Sequence, residues 1–341
     1  MKTMTIGLDL AKSVFQVHGV DDAGTVTLRR KLRRSEVLEF FDSFPACQIG
    51  MEACATAHNW ARELAALGHE VRLMPPNYVK PYVRRQKNDA ADAEAICEAV
   101  TRPTMRFVPV KSAERQAILT LHRTRELLVR QRTMLINAIR SHCAEFGLIA
   151  PQGAGRVAEL VNRVRAAGDE VLPDLARSTL VMLADQLQTL AVQIHQLERR
   201  PLAWHRQDQI SQRLATIPGV GIISATALSA SVTDPSLFRS GREFAAFLGL
   251  VPRQNSSGGK DRLGRISKMG DGYLRKLLVV GATSVIRRIR TGVSLASADW
   301  ARALLERRPA RVVTVAMANK TARIAWAVMT RGEAYRPPAM A

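Results

Sequence analysis

The chain has 341 residues and 47% hydrophobic content, which is enough apolar material for two or three packed domains. Its formal net charge of +20 favours a polyanionic partner, most simply nucleic acid, with a membrane surface as the alternative. Because no run of about 18 apolar residues occurs, no membrane-spanning helix is expected.

The N-terminus and the cysteines predict a cytoplasmic location. Asp9 interrupts the first apolar run too early for a secretory signal peptide. The four cysteines show neither paired metal-ligand spacing nor a dense disulfide pattern, so buried reduced thiols are expected. A cytoplasmic protein with a nucleic-acid partner would associate with the nucleoid.

Residues 1–110 are predicted to form an α/β domain. The expected elements are strands at 6–9, 14–20, from 26, 48–52 and 69–74, and helices at 35–43, 56–67 and around 89–98. A three-strand meander followed by crossovers describes a ribonuclease-H-like sheet. In that sheet the first and fourth strands are neighbours, so Asp9 and Glu52 at their ends would lie together.

Four carboxylates in this domain could form a metal site. Asp9 and Glu52 end buried strands, and Asp89 and Asp92 share one face of a predicted helix because they are three residues apart. Converging carboxylates repel each other unless a cation neutralises them, and hard oxygen ligands suit Mg²⁺. Two such ions can act on one phosphodiester. Taken singly, each acid could instead be an exposed charge or a helix cap.

Residues 111–205 are predicted to form two long helices, at about 112–147 and 174–200. The second helix carries apolar residues at alternating steps of three and four, which is a heptad pattern: Leu180, Leu183, Leu187, Leu190, Ile194 and Leu197. An antiparallel coiled-coil arm, helix pairing between subunits and an ordinary helical hairpin within one domain are all compatible with this pattern.

Residues 206–332 are predicted to form a helical C-terminal domain, followed by a frayed tail at 333–341. Ile217 to Gly221 resembles the turn of a helix-hairpin-helix, where Gly219 and Gly221 would let the backbone approach a phosphate beside a helix N-terminus. A plain helix–helix turn is the alternative interpretation.

A polar loop is predicted at 251–276, and Ser257 within it is a candidate nucleophile. Glycines on its C-terminal side allow close approach to a phosphate, and neighbouring cations would stabilise charge on the phosphate oxygens. Ser256 leaves a one-residue ambiguity, and a merely flexible loop is the alternative. The candidate phosphate-binding cations in the loop are Lys260, Arg262, Arg265 and Lys268.

Further basic clusters suggest a path for nucleic-acid phosphates. Arg84, Arg85 and Lys87 precede the paired acids, so this cluster would lie beside the metal site. The other clusters are Arg29, Arg30, Lys31, Arg33 and Arg34, and Arg287, Arg288 and Arg290. A solvated surface is the alternative for any one of them. Aromatic residues make up only 5%, so extensive base stacking is not expected.

Six motifs follow one another along the chain: Ile-Gly-Leu-Asp-Leu-Ala-Lys at 6–12, Met-Glu-Ala at 51–53, Lys-Asn-Asp-Ala-Ala-Asp-Ala at 87–93, Ile-Pro-Gly-Val-Gly at 217–221, Phe-Ala-Ala-Phe-Leu-Gly-Leu-Val-Pro-Arg at 244–253, and Ser-Ser-Gly-Gly-Lys at 256–260 with Ile-Ser-Lys at 266–268. Their combination resembles the DEDD transposases of insertion-sequence family 110, specifically branch 1111, to which Piv-type DNA invertases are related. The likeness spans nearly the whole chain.

This resemblance implies a RuvC-like N-terminal domain that binds Mg²⁺ through Asp9, Glu52, Asp89 and Asp92, and a coiled-coil segment leading to a helical transposase domain. It implies that Ser257 is the nucleophile that becomes covalently linked to DNA. The composite active site would draw its acids and serine from different domains and different subunits of a homodimer or tetramer. A structured guide RNA encoded by the element would pair with donor and target DNA.

Two other functions remain open on the sequence. A metal-dependent, structure-specific endonuclease, such as a Holliday-junction resolvase, would need the acids but not Ser257. A nonenzymatic nucleic-acid-binding protein with a decayed site would need neither, although the presence of all four acids argues against decay.

Overall fold

The computed structural model describes residues 4–83, 88–153, 155–168, 171–260, 262–293 and 298–337. The chain divides into two compact units, Met1–Ala113 and Glu114–Ala341. None of the helices in these described ranges combines the length and apolar character needed to traverse a membrane.

The first unit contains a five-stranded sheet with the order β3-β2-β1-β4-β5. Its strands are β1 Thr5–Leu10, β2 Val14–Val20, β3 Val26–Arg33, β4 Gln48–Glu52 and β5 Glu70–Met74. The first three strands form an antiparallel meander, whereas β1–β4 and β4–β5 are parallel pairs. The predicted meander, crossovers and adjacency of the first and fourth strands are therefore confirmed.

The helices of this unit are α1 Val37–Asp42, α2 Ala57–Ala66, α3 Pro76–Val79 and α4 Asp89–Val100. One face of the sheet forms an apolar core with α1 and α2 that includes Phe15, Phe41 and Trp60. The other face carries α4, which packs directly on Gly7 of β1. A Cβ atom at Gly7 would lie 2.1 Å from the carbonyl oxygen of Ala93, so only glycine permits this approach.

The second unit is mainly helical. It comprises α5 Ala113–Ala144 (whose first residue closes the first unit), α6 Arg156–Ala166, α7 Asp174–Gln207, α8 Gln209–Ala215, α9 Ile222–Ser231, α10 Gly241–Phe247, β6 Pro252–Gln254, β7 Leu263–Ile266, α11 Gly272–Arg290, α12 Ala298–Leu305 and α13 Ala310–Arg331. Its largest core gathers apolar side chains from α8 to α13. The mixed α/β domain followed by a helical domain agrees with the predicted fold class.

The long helices α5 and α7 run antiparallel within the chain. Arg125 near the middle of α5 donates to Glu198 late in α7, with an Nε–Oε1 distance of 2.8 Å. At the other end, Ile139 and Cys143 of α5 share a core with Leu180 and with α6. This arrangement is a helical hairpin, and coiled-coil packing along the heptad pattern stays a prediction.

A buried histidine connects α5, α9 and α11. His122 lies 3.0 Å through Nδ1 from the Tyr273 hydroxyl and 3.1 Å through Nε2 from Thr226 Oγ1. The Thr226 hydroxyl donates to the Ile222 carbonyl, so it accepts from Nε2–H, and Nδ1 accepts from Tyr273. Burial lowers the pKa of His122 to about 4, which keeps the ring neutral for this role.

Three sequence predictions need correction. The prediction of a polar loop at 251–276 is wrong, because this segment contains the β6–β7 hairpin and the start of α11 at Gly272. The second long helix continues beyond residue 200 through Pro201 to Gln207. Within the predicted frayed tail at 333–341, Tyr335 is anchored: its backbone N–H donates to Thr216 Oγ1 at 2.9 Å and its ring packs on the helical core. The last part of that prediction, 338–341, lies outside the described residues.

Candidate functional site

Three carboxylates converge where β1 ends and α4 begins. Asp9 lies near the end of β1, and Asp89 and Asp92 lie in the first turn of α4. One oxygen from each of these residues lies within 4.8 Å of the others. Asn88 caps the helix, because its side-chain oxygen accepts from the Ala91 N–H at 2.8 Å. This cap fixes the turn that carries both acids.

Glu52 lies beside this group without being part of it. Leu8 of β1 pairs with Met51 of β4, so the next residues along the two strands are Asp9 and Glu52. Glu52 is half-buried, and its negative charge is close enough to raise the pKa of Asp9. The structure therefore brings together three of the four predicted acids and places the fourth next to them.

The electrostatics of Asp9 indicate a site built for a cation. Burial, together with the charges of Asp92, Asp89 and Glu52, raises the pKa of Asp9 from 3.8 to about 6, against a lowering hydrogen bond from the Leu10 backbone. An ionised Asp9 is therefore disfavoured unless positive charge is supplied. Clustered carboxylate oxygens are the donor set that Mg²⁺ prefers, so the residues present fit this ion.

Ser257 occupies the tip of the β6–β7 hairpin. Its carbonyl oxygen accepts from the Lys260 N–H at 3.1 Å, and its side chain is exposed. The two residues between them, Gly258 and Gly259, have φ angles of 57° and 75°. Two successive positive φ angles are the signature of a type I′ turn, which glycine adopts without strain.

Ser256 has a different role from its neighbour. It is half-buried, and its Oγ accepts a hydrogen bond from the Arg262 N–H at 3.2 Å across the hairpin. Ser256 thus ties the two arms together, while Ser257 is presented to solvent.

At the base of the hairpin Lys268 has a φ of 56° and donates its N–H to the Gly249 carbonyl. It is the sole non-glycine residue with positive φ in the described part of the chain.

The predicted phosphate-binding cations fall into two groups. Those of the hairpin region are all exposed: Lys260, Arg262, Arg265 and Lys268. The cluster of Arg84, Arg85 and Lys87 lies outside the described residues.

The two glycines of the predicted helix-hairpin-helix turn differ. Gly219 has a φ of 85°, and a Cβ there would lie 2.9 Å from the Gly281 carbonyl oxygen of α11. Packing against α11 therefore explains Gly219 without a ligand. Gly221 precedes α9, is exposed and has open space around its Cβ position, so only it offers backbone to an external phosphate.

Asn88 is a site residue that the sequence reasoning missed. The signal was present, because asparagine directly before an acidic first turn is a strong N-cap pattern.

Comparison with known proteins gives matches to both units. Residues 6–146 match a family described as DEDD transposases of IS110, and residues 211–296 match the family "Transposase IS116/IS110/IS902 family". A "Probable family 20 transposase" of Pseudomonas aeruginosa is 53% identical over 99% of this chain and 100% of its own length. The transposase for IS1328 of Yersinia enterocolitica is 40% identical over 97% of this chain and 98% of its own. The transposase for IS1111A of Coxiella burnetii is 40% identical over 97% of this chain and 91% of its own length.

The ribonuclease-H-like sheet with its acid cluster, followed by a helical unit, defines a DEDD-type transposase. The chain belongs to the IS110 family of insertion-sequence transposases, in the branch that includes the IS1111A relative. It is therefore an enzyme of transposition that acts on DNA.

Proposed function

We propose that this transposase is Mg²⁺-dependent and RNA-guided, and that it cuts and rejoins DNA through Ser257. The observation that carries the proposal is the convergence of Asp9, Asp89 and Asp92 within 4.8 Å, which leaves negative charge that needs a cation. The family resemblance supplies the serine and the guide RNA.

The acids would bind two Mg²⁺ ions. Asp9, Asp89 and Asp92 supply the central oxygens, and Glu52 adds a further carboxylate at the rim. When bound, the ions would neutralise the charge that develops on the phosphate oxygens of the substrate. The Asn88 cap and the close packing of α4 on Gly7 keep the carboxylates in position.

Ser257 would perform a transesterification. Its Oγ attacks phosphorus and loses its proton to solvent, while the bond from phosphorus to one deoxyribose oxygen breaks and that oxygen takes up a proton. A sugar hydroxyl of another strand then attacks the phosphoserine and restores the serine hydroxyl. The phosphoester bond energy is retained, so rejoining needs no ATP. The exposed tip position and the flanking glycines support this role.

The nucleic-acid partners would be donor DNA, target DNA and a structured RNA encoded by the element. A net charge of +20 supports binding of several polyanions, and the low aromatic content fits a protein that leaves sequence reading to base pairing. Exposed backbone at Gly221 and the hairpin cations would contact phosphates.

The active site would be composite. The acids lie in the first unit and Ser257 in the second, so both units are needed for one reaction. By family resemblance, acids and serine come from different subunits of a homodimer or tetramer.

The test is a plasmid excision assay with the element RNA co-expressed. Ser257→Ala and Asp92→Asn should each lower excision by at least about a thousand-fold, as expected for loss of a nucleophile or a metal ligand. Ser256→Ala is the matched control. It loses the Arg262 hydrogen bond, worth about 1 kcal/mol, but keeps the Ser257 hydroxyl, and should keep substantial activity.

The same assay separates the alternatives. If Ser257→Ala still cuts DNA but never rejoins it by a protein-linked route, the chain acts as a structure-specific endonuclease. If Asp9→Asn leaves excision unchanged, the metal-dependent mechanism is wrong.

A further inference from the structure

A groove of about 360 Å³ lies on the α4 face of the sheet, between α4 and strands β2 and β3. Its polar lining residues are Gln16, His18, Arg29, Arg30, Lys31, Asn88 and Glu94. Arg30 pairs with Val17 and its guanidinium lies on Phe40, so its side chain belongs to the opposite face and only its backbone borders the groove. The volume is near the lower limit of small-ligand sites, about 300 Å³, so the groove has room for a short segment of one strand.

The strand register aligns this groove with the acid cluster. Asp9 pairs with Gln16, and Gln16 pairs with Lys31. Directly opposed residues project from the same face of a sheet. Adjacent strands are about 4.8 Å apart, so the backbone of Lys31 lies roughly 10 Å from that of Asp9. Asn88, at the α4 end of the groove, adjoins Asp89.

The cations of β3 and Arg34, the residue directly after it, divide between the two faces of the sheet. The Arg30 guanidinium lies 5.1 Å from the ring centre of Phe40, and that of Arg34 lies 5.3 Å from the ring centre of Phe15. Those two charges are engaged on aromatic rings of the opposite face. Arg29 and Lys31 point to the groove face and are exposed.

General protection of an edge strand does not explain this division. Lysine and arginine on an edge strand discourage pairing with another sheet, whichever face they occupy. Within the described part of the chain, however, Arg29 and Lys31 make neither an ion pair nor a side-chain hydrogen bond. Arg29 and Lys31 are therefore available to bind phosphates. Because the groove is aligned with the carboxylate cluster, a DNA strand whose phosphodiester lies at that cluster could continue along the groove and meet both cations.

We infer that this groove binds the DNA strand next to the phosphodiester being cut, with Arg29 and Lys31 contacting consecutive phosphates. The inference rests on the proposed function, because it assumes that the acid cluster acts on DNA. Glu94 borders the groove on the α4 side, where its negative charge repels phosphate and directs the strand towards β3.

The test measures binding of the full-length protein to a fluorescent single strand of the element's terminal DNA, with Ca²⁺ in place of Mg²⁺ to prevent cutting. Arg29→Gln/Lys31→Gln should weaken binding roughly 10- to 30-fold at 0.1 M salt and reduce the salt slope by about 1.4, as for two lost phosphate contacts. Glu94→Gln should tighten binding.

Arg30→Gln is the matched control, because it removes the same charge from the same strand but from the side chain held on Phe40. The affinity of this variant for the DNA strand should stay within about two-fold of wild type, because the Arg30 side chain does not contact a phosphate in the groove. An unchanged melting temperature in the double variant excludes misfolding as the cause. A methylphosphonate at the contacted linkage should weaken wild-type binding and have no effect on the double variant.

The inference is overturned if the double variant binds DNA like wild type, if Arg30→Gln weakens binding equally, or if only an RNA strand of the same sequence loses affinity. None of these outcomes would change the excision results expected for Asp92→Asn and Ser257→Ala. The DNA-binding role of the groove can therefore be disproved while the proposed function stands.

Discussion

Asp9 is the residue whose environment departs most from that of an ordinary surface acid. It is half-buried, and three other carboxylates surround it. Its raised pKa therefore makes a prediction about the metal-free protein. Between pH 3.8 and about 6 the folded state holds a proton at Asp9 that the unfolded state has lost. The contribution of Asp9 to the free energy of unfolding should fall as pH rises through this window.

Asp9→Asn should therefore stabilise the metal-free protein at pH 7 and have a smaller effect at pH 4.5. Urea denaturation in EDTA at the two pH values measures the difference between variant and wild type. Asp22→Asn, at an exposed turn away from the acid cluster, makes the same chemical change and is the control. A variant less stable than wild type at pH 7 would contradict the electrostatic description of the site.

At this scale the sequence predicts the acids but not their environment. Asp9 and Glu52 can be assigned to neighbouring strand ends because the order of strands fixes the sheet. The raised pKa of Asp9 and the rim position of Glu52 depend on distances of a few ångströms between distant segments, which residue patterns do not contain.

Among the elements, α4 determines whether the acids meet, and its position depends on Gly7. Gly7→Ala would place a methyl group 2.1 Å from the Ala93 carbonyl and force α4 away from β1. We expect a loss of about 3 kcal/mol of stability, at the upper end of overpacking costs. Excision should fall further than this loss explains, because Asp89 and Asp92 move with the helix.

Chemical denaturation and the excision assay measure the two effects. Gly155→Ala is the control, because its Cβ position is open and it should be nearly neutral. Normal stability and activity in Gly7→Ala would show that α4 does not depend on this contact.

The elements also show where sequence patterns stop being informative. The strands of the first unit are predictable from apolar runs between turn signals. The β6 and β7 strands have only three and four residues and are largely exposed, so they lack an apolar pattern and look like loop. The Gly258-Gly259 pair was the available hairpin signal. The antiparallel contact of α5 with α7 fits two of the three arrangements that the heptad pattern allows, the coiled-coil arm and the helical hairpin.

For the whole molecule, the central claim is that acids of one unit and a serine of the other act on the same phosphodiester. From the sequence, this claim follows only from the family resemblance. No residue pattern in the chain indicates that residue 9 and residue 257 act together. The proposed function requires the protein to hold several nucleic-acid strands, which its net charge of +20 would favour.

The most direct measurement is mass spectrometry of the protein–DNA adduct formed by purified transposase with its element RNA, DNA and Mg²⁺. The account predicts a nucleotide linked to the Ser257 hydroxyl, which disappears in EDTA and in Asp9→Asn but persists in Ser256→Ala. An adduct on another residue, or efficient cutting with Mg²⁺ and no adduct at all, would contradict it.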